Sequence, residues 1–144
     1  MRLLVDVNIF IDVLTKRMNW EGSLGVLHVV RQSSDVEGWI SALTIPLLYF
    51  FRLRVAEEMQ ARADVQTAVK GFRLVPLSQD IIDKALLSAL PDFEDNLQMA
   101  SAEMVAADYI ITRNKRHFQG AESAVLTPEE WLALDSVVGL MSNL

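Results

Sequence analysis

The sequence predicts an α/β protein, a three-layer α/β/α sandwich around a central, mostly parallel sheet of four to five strands. Short apolar runs alternate with segments of helical period along nearly the whole chain. The connections between successive strand candidates are long enough to hold helices, which parallel pairing requires. The composition, with 51% hydrophobic and 22% charged residues in a chain of 144, suits one globular domain that buries roughly two-thirds of its unfolded surface. The pattern runs through residue 134, and the tail 135–144 shows no periodicity.

Each element has its own signal. Arg2 to Val5 is an apolar run of the kind that fills a strand covered on both faces. Asn8 to Lys16 carries Ile9, Phe10, Val13 and Leu14 at helical spacing. Ser23 to Arg31 repeats that spacing with Leu24, Leu27 and Val30 turned inward. Glu37 to Ala42 reads as the second strand. Thr44 to Ala56 reads as a helix with Pro46 in its first turn, where a missing N–H costs nothing. Ala61 to Lys70 is a further helix closed by Gly71, and Phe72 to Pro76 is the third strand. Ser78 caps a helix from Gln79 to about Ala89, in which Ile81, Ile82, Ala85 and Leu86 are spaced for burial. Asp92 caps the next helix, to about Val105. Tyr109 to Thr112 is the fourth strand and Ser123 to Leu126 a short fifth. Thr127-Pro128-Glu129-Glu130 carries the signature of a capped helix start.

The absence of cysteine excludes a disulfide framework, a zinc–thiolate site and thiol catalysis. Neither a signal peptide nor an apolar run of roughly 20 residues is visible, so no membrane is expected and the expected location is the cytoplasm. A net charge of −6 argues against plain electrostatic binding of nucleic acid. That objection loses force where a bound cation neutralises a local acidic cluster.

Two acidic places stand out. Asp6 ends the first apolar run, where a carboxylate without a partner is costly; it reads equally as a helix cap and as part of a site. The stretch PDFEDNLQ at 91–98 puts Asp92, Glu94 and Asp95 within four positions. One acid caps a helix, so Asp92 is free to cap while Asp95, one turn in, points elsewhere. The abrupt change from Ile110-Ile111 to Thr112-Arg113-Asn114 falls where ligands bind in a parallel sheet, beyond the carboxyl end of a strand. It also reads as an ordinary turn. His28, among Val26, Leu27 and Val29, reads as packing. Tyr49-Phe50-Phe51 reads as core or, alternatively, as a contact face.

Taken in order, the segments LLVDVNIFID, ISALTIPLLYFFR, DFEDNLQMASAEMVAADYIITRNKRHF and VLTPEEWL resemble the PIN domain family, in particular the VapC-type toxins of toxin–antitoxin pairs. The resemblance implies a PIN-like sandwich whose carboxylates gather at one edge, bind Mg²⁺ or Mn²⁺ and hydrolyse RNA phosphodiester bonds. On it, Asp6 and Asp95 are metal ligands, with Asp92 or Glu94 as a third. Asn8, Thr112 and Asn114 orient water, ligands or phosphate, and Arg113, Lys115 and Arg116 meet the RNA backbone. An antitoxin partner and a homodimer are further family expectations. The chain departs from the family pattern twice. The stretch Thr44 to Tyr49 lacks the acid usual there, and His117 stands where an aspartate often precedes the phenylalanine, Phe118 here. These departures motivate an alternative, a degenerate PIN domain that serves as a binding or assembly module. A phosphatase acting through an aspartyl nucleophile is disfavoured, because Asn8 and not an aspartate lies two residues after Asp6.

Overall fold

The computed structural model describes residues 1–144. Five strands form one sheet: β1 (Arg2–Val5), β2 (Glu37–Ser41), β3 (Arg73–Val75), β4 (Tyr109–Ile111) and β5 (Ala124–Leu126). Their spatial order is β3-β2-β1-β4-β5, and every pairing is parallel. The sheet thus has the upper of the expected strand numbers and no antiparallel member. Helix pairs supply the first three crossovers: α1 (Val7–Thr15) and α2 (Trp20–Gln32), α3 (Thr44–Arg52) and α4 (Glu58–Ala68), and α5 (Gln79–Leu87) and α6 (Phe93–Met104); the connection from β4 to β5 holds only a 3₁₀ turn, Lys115–Phe118. The chain ends in α7 (Pro128–Leu132) and α8 (Asp135–Met141). The sequence beyond Asp135 shows no periodicity, yet α8 forms and buries Val137 in the core.

Period-two alternation in the strands builds the two core layers. Leu3 and Val5 of β1 and Ile111 of β4 face one side, with Phe10, Val26, Leu48 and Trp131 from the helices that cover it. Leu4 and Ile110 face the other, against Ile81 and Ala85 of α5 and Leu97 and Ala100 of α6. Both faces of β1 are therefore covered, as its unbroken apolar run requires.

The capping expectations correspond to real bonds. Ser78 Oγ accepts from Ile81 N–H at 3.3 Å and Asp92 Oδ1 from Asp95 N–H at 3.0 Å. Thr127 and Glu130 complete a reciprocal capping box. Gly71, with φ +91°, turns the chain into β3 in a conformation that a side chain resists.

Some local readings differ from the structure. α3 stops at Arg52, and past Leu48 it has no fully buried residue to hold a further turn. α4 begins earlier than expected, at Glu58, where an acid suits the positive end of the helix. His28 is exposed and not packed. Leu24 and Leu86 are also exposed, the latter 65%. In each case helical spacing places the residue at the margin of the apolar stripe and not at its centre.

Candidate metal centre

The chain passes from β1 outward to β2 and β3, then returns so that β4 lies on the other side of β1. Strand order reverses between β1 and β4, and the crevice at their carboxyl ends is the natural ligand position in such a sheet. Asp6 is the first residue beyond β1, and its N–H extends the ladder by donating to Ile111 O at 3.0 Å. Thr112 is the first residue beyond β4, held by its N–H to Leu126 O at 3.0 Å. Two residues separated by more than 100 positions therefore meet: Thr112 Oγ1 donates to Asp6 Oδ2 at 2.8 Å.

Asp6 is 1% exposed, and a carboxylate so covered needs donors. Besides Thr112 it accepts from Gln98 Nε2 at 2.9 Å and, through longer contacts, from Asn8 Nδ2 at 3.4 Å and Asn8 N–H at 3.5 Å. It is thus helix cap and site residue at once, because the cap of α1 sits on the ligand edge of the sheet. Thr112 Oγ1 in turn accepts from Asn114 N–H at 3.0 Å, which folds the loop back over the site.

α6 brings the second group. Asp92 caps it, and Asp95, three residues on, is 8% exposed. His117, in the 3₁₀ turn Lys115–Phe118, places Nδ1 2.8 Å from Asp95 Oδ2 and 3.9 Å from Asp92 Oδ2. One potential ligand atom from each of Asp92, Asp95 and His117 lies within 4.8 Å of the other two. Burial first, then the charges of Asp6 and Asp92, push the Asp95 carboxyl up to about 6, against the downward pull of the His117 hydrogen bond. No lysine or arginine pairs with Asp6, Asp92 or Asp95: their partners are hydroxyl, amide, backbone and imidazole groups. Crowded carboxylates without a cationic side chain, one imidazole and no thiolate make a donor set that fits a hard or borderline divalent cation.

The other expected residues are placed unequally. Glu94 is exposed and stands outside the Asp92–Asp95–His117 group. Arg113 is committed elsewhere. Its guanidinium donates to Asp12 Oδ2 at 2.9 Å, Glu129 Oε2 at 2.6 Å, Asn19 O at 2.6 Å and Ser23 Oγ at 3.1 Å. This departs from the expected backbone contact, because Asp12 is 3% exposed and its charge claims the nearest arginine. Lys115 bridges to Glu130 at 2.9 Å on the surface, and Arg116 is exposed without an ion-pair partner. Leu47, in the stretch where the family's acid is absent, packs against the apolar core.

Gln98 escaped the sequence reading. It is 2% exposed, and its signal was a long polar residue one helical turn after Asp95, inside a run of apolar and small residues. Asp12 and Ser23, bonded at 2.8 Å, were also missed. Each was masked by a helical pattern that looked complete without it.

A PIN domain family model matches residues 2–116. No curated protein is significantly similar in sequence. Among solved structures, VapBC2 from Rickettsia felis bound to a DNA fragment from its promoter superposes with a TM-score of 0.68 at 12% identity, covering 88% of this chain and 98% of that one. A toxin–antitoxin complex from Klebsiella pneumoniae gives 0.67 at 22%, covering 88% and 97%. VapC20 of Mycobacterium tuberculosis, described as a Sarcin-Ricin loop cleaving toxin, gives 0.57 at 11%, covering 75% and 86%. With the family model spanning most of the sequence and the same fold in these neighbours, the chain belongs to the PIN domain family.

Proposed function

We propose that the protein is a metal-dependent endoribonuclease, the toxin of a toxin–antitoxin pair. The observation that carries this reading is that buried Asp6 and Asp95 lie close enough at the β1–β4 crevice for their charges to interact, with no lysine or arginine paired to either. Asp95, Asp92 and His117 would hold Mg²⁺ or Mn²⁺, with Asp6 beside them, its two long contacts from Asn8 the ones that give way most easily. When bound, such an ion lowers the pKa of a coordinated water and offsets charge on a phosphoryl group.

The protein's own side chains do the positioning. Thr112, the first residue past β4, and Gln98 of α6 hold one oxygen each of the Asp6 carboxylate and so fix its plane. The Asp92 cap fixes the first turn of α6, hence the place of Asp95, and His117 orients the Asp95 carboxylate. Asn8 and Asn114 are half-buried at the rim, where their amides can meet water or a phosphate oxygen. Arg116 is the exposed cation next to the site that suits backbone phosphate. Glu94, exposed on the first turn of α6, is at most an outer group, and Lys115 reaches RNA only by leaving Glu130.

The toxin part of the reading is supported by neighbours described as VapBC and toxin–antitoxin complexes. RNA as substrate is supported by the neighbour described as a loop-cleaving toxin. A groove between α3 and α4 is lined by Ile45, Tyr49, Val65 and Val69, with Arg62 and Gln66, and Phe50, Val55 and Met59 of the same segment are exposed. We assign this surface to protein partners, an antitoxin or a second copy in a homodimer. No helix is long and apolar enough to cross a membrane. Leu47 favours one second reading, a PIN domain that binds without cutting, since an apolar side chain fills a region where the family commonly supplies charge.

The test is cleavage of RNA by purified protein with Mn²⁺, with Mg²⁺, and with excess chelator. Metal-dependent cleavage that Asp95→Asn abolishes supports the nuclease. Cleavage that persists in chelator overturns the metal reading, and none with either ion favours the binding module.

A further inference from the structure

Arg113 follows Thr112 directly, and its guanidinium commits all three nitrogens to acceptors of the protein. Nε donates to Asp12 Oδ2, Nη1 to Glu129 Oε2, and Nη2 to both Asn19 O and Ser23 Oγ. These acceptors belong to α1, α7, the α1–α2 connection and α2. Asp12 is the firm anchor among them, since it is buried and also accepts from Ser23 Oγ at 2.8 Å. A buried carboxylate holds a cationic partner more tightly than an exposed one does. A lysine cannot replace the fork, because its three donors share one nitrogen.

The place of this anchor ties it to the crevice. Asp6 is the N-cap of α1, and Asp12 lies further along the same helix, about 9 Å away at 1.5 Å per residue. Thr112 Oγ1 grips the cap through Asp6 Oδ2, and Arg113 grips the helix through Asp12. Two successive residues of the chain therefore hold α1 at two points. The contacts close a ring that runs from Asp6 along α1 to Asp12, across to Arg113, and back through Thr112. The loop that leaves this ring carries the next groups of the site. Asn114 N–H donates to Thr112 Oγ1, Asn114 O accepts from His117 N–H at 2.9 Å, and His117 meets Asp95. α7 braces the same loop on both sides of Asn114, through Glu129 to Arg113 and Glu130 to Lys115.

We infer that Arg113 is a positioning residue of the metal centre: docked on Asp12, it holds Thr112 against Asp6 and sets the loop that brings His117 to Asp95. For its purpose this role rests on the metal reading proposed above. Arg113 itself bonds none of Asp6, Asp92, Asp95 and His117, and acts through Thr112 and Asn114. Without the fork, Thr112 keeps its backbone bond to Leu126 O, but the loop beyond it loses its tie to α1, α2 and α7. The Asp6 carboxylate is then held firmly on the Oδ1 side only, by Gln98 Nε2. Gln98, which does not bond Arg113, therefore reports on any change in the Asp6 carboxylate.

Arg113→Lys keeps a charge beside Asp12 and gives up the fork. Its control is Arg52→Lys, which alters a pair of similar shelter: Arg52 Nη2 lies 2.7 Å from Asp64 Oδ2, and the two arginine side chains are 19% and 21% exposed. Arg52 ends α3, whereas the start of that helix follows β2 at the site edge. Stability is measured by urea unfolding and Mn²⁺ binding by calorimetry. The Gln98 side-chain amide is followed by ¹H–¹⁵N NMR in excess chelator and assigned with Gln98→Leu. Both lysine variants should lose stability. Arg113→Lys alone should weaken Mn²⁺ binding on the order of ten-fold or more and shift the Gln98 amide. An unmoved Gln98 signal, or Mn²⁺ bound as tightly as by the parent, overturns the inference. A parent that binds no Mn²⁺ sinks the metal reading instead, and the Gln98 signal then decides for or against Arg113.

Discussion

Replacing Asp95 by Asn should stabilise the metal-free protein at neutral pH, the reverse of what removal of an ordinary salt-linked aspartate does. An aspartate in the unfolded chain titrates near 4, and Asp95 in the fold near 6. The folded state therefore prefers the protonated acid. That contribution is fully present below about pH 4 and is lost as pH rises through about 6. Two pH units correspond to at most about 3 kcal/mol. Asp95 itself is covered, but Asp92 and His117 are half-exposed, so solvent screening trims the figure to about 2 kcal/mol. Urea unfolding in chelator, run between pH 4.5 and 7.5 on both proteins, isolates the effect, since other titrations cancel in the difference. The stability gap should move in favour of Asp95→Asn by about 2 kcal/mol over that range, or roughly 5 °C in Tm. Saturating Mn²⁺ should then stabilise the parent by about 3 kcal/mol at a hundredfold excess over Kd and the variant hardly at all. A gap that does not change with pH, or that favours the parent at pH 7.5 without metal, refutes the idea of an uncompensated carboxylate awaiting a cation.

Mn²⁺ binding measured by calorimetry should weaken as pH falls through 6, because protons compete for Asp95 where its carboxyl titrates. Thr112→Val keeps the shape but removes the bond to Asp6 and the acceptor for Asn114 N–H, so it should cost about 2–3 kcal/mol by urea unfolding; a loss under 1 kcal/mol would count against that bond. Arg113→Ala leaves the buried Asp12 with only Ser23 and the more distant Arg17 and should cost about 2–3 kcal/mol, whereas Arg116→Ala should leave stability within about 0.5 kcal/mol and lower the salt slope of RNA binding by about 1. The opposite division of effects, seen by the same two assays, would restore Arg113 to the RNA surface. Gly38→Ala would place a Cβ 2.4 Å from Val30 and 2.7 Å from the Phe72 ring, and should cost about 1–3 kcal/mol in thermal unfolding through overpacking.

The sheet was legible because each strand of a doubly covered sheet has to be apolar on both faces, and runs such as Leu3-Leu4-Val5 and Tyr109-Ile110-Ile111 allow little else. The caps Ser78, Asp92 and Thr127 were legible because each satisfies an N–H within three residues of itself. Long-range polar pairs were not. Nothing near Gln98 in the sequence says that it reaches Asp6, and nothing near Arg113 says that Asp12, 101 positions away, will claim it. Such pairs are chosen by the packing of whole elements, so a polar residue inside an apolar helical run marks only that a partner exists. Even α8 belongs here: its one deeply buried side chain, Val137, has a place only because α7 and the sheet leave one.

The missing acid in the stretch Thr44 to Tyr49 and the histidine at 117 bear on function through the charge they leave behind. Asp6, Asp92 and Asp95 still bring three carboxylates to one crevice, and no lysine or arginine enters it. His117 contributes a lone pair when neutral, so it can serve as a ligand without adding to the repulsion among the acids. A site of this kind gives up some electrostatic affinity for a hard ion and gains a nitrogen donor, which shifts preference from Mg²⁺ toward Mn²⁺. Burial first, and then the charges of Asp6 and Asp92, push the Asp95 carboxyl upward. On the proposed nuclease reading a bound cation offsets that cost, and substitution of Asp95 by asparagine would remove it while leaving every cap and strand in place.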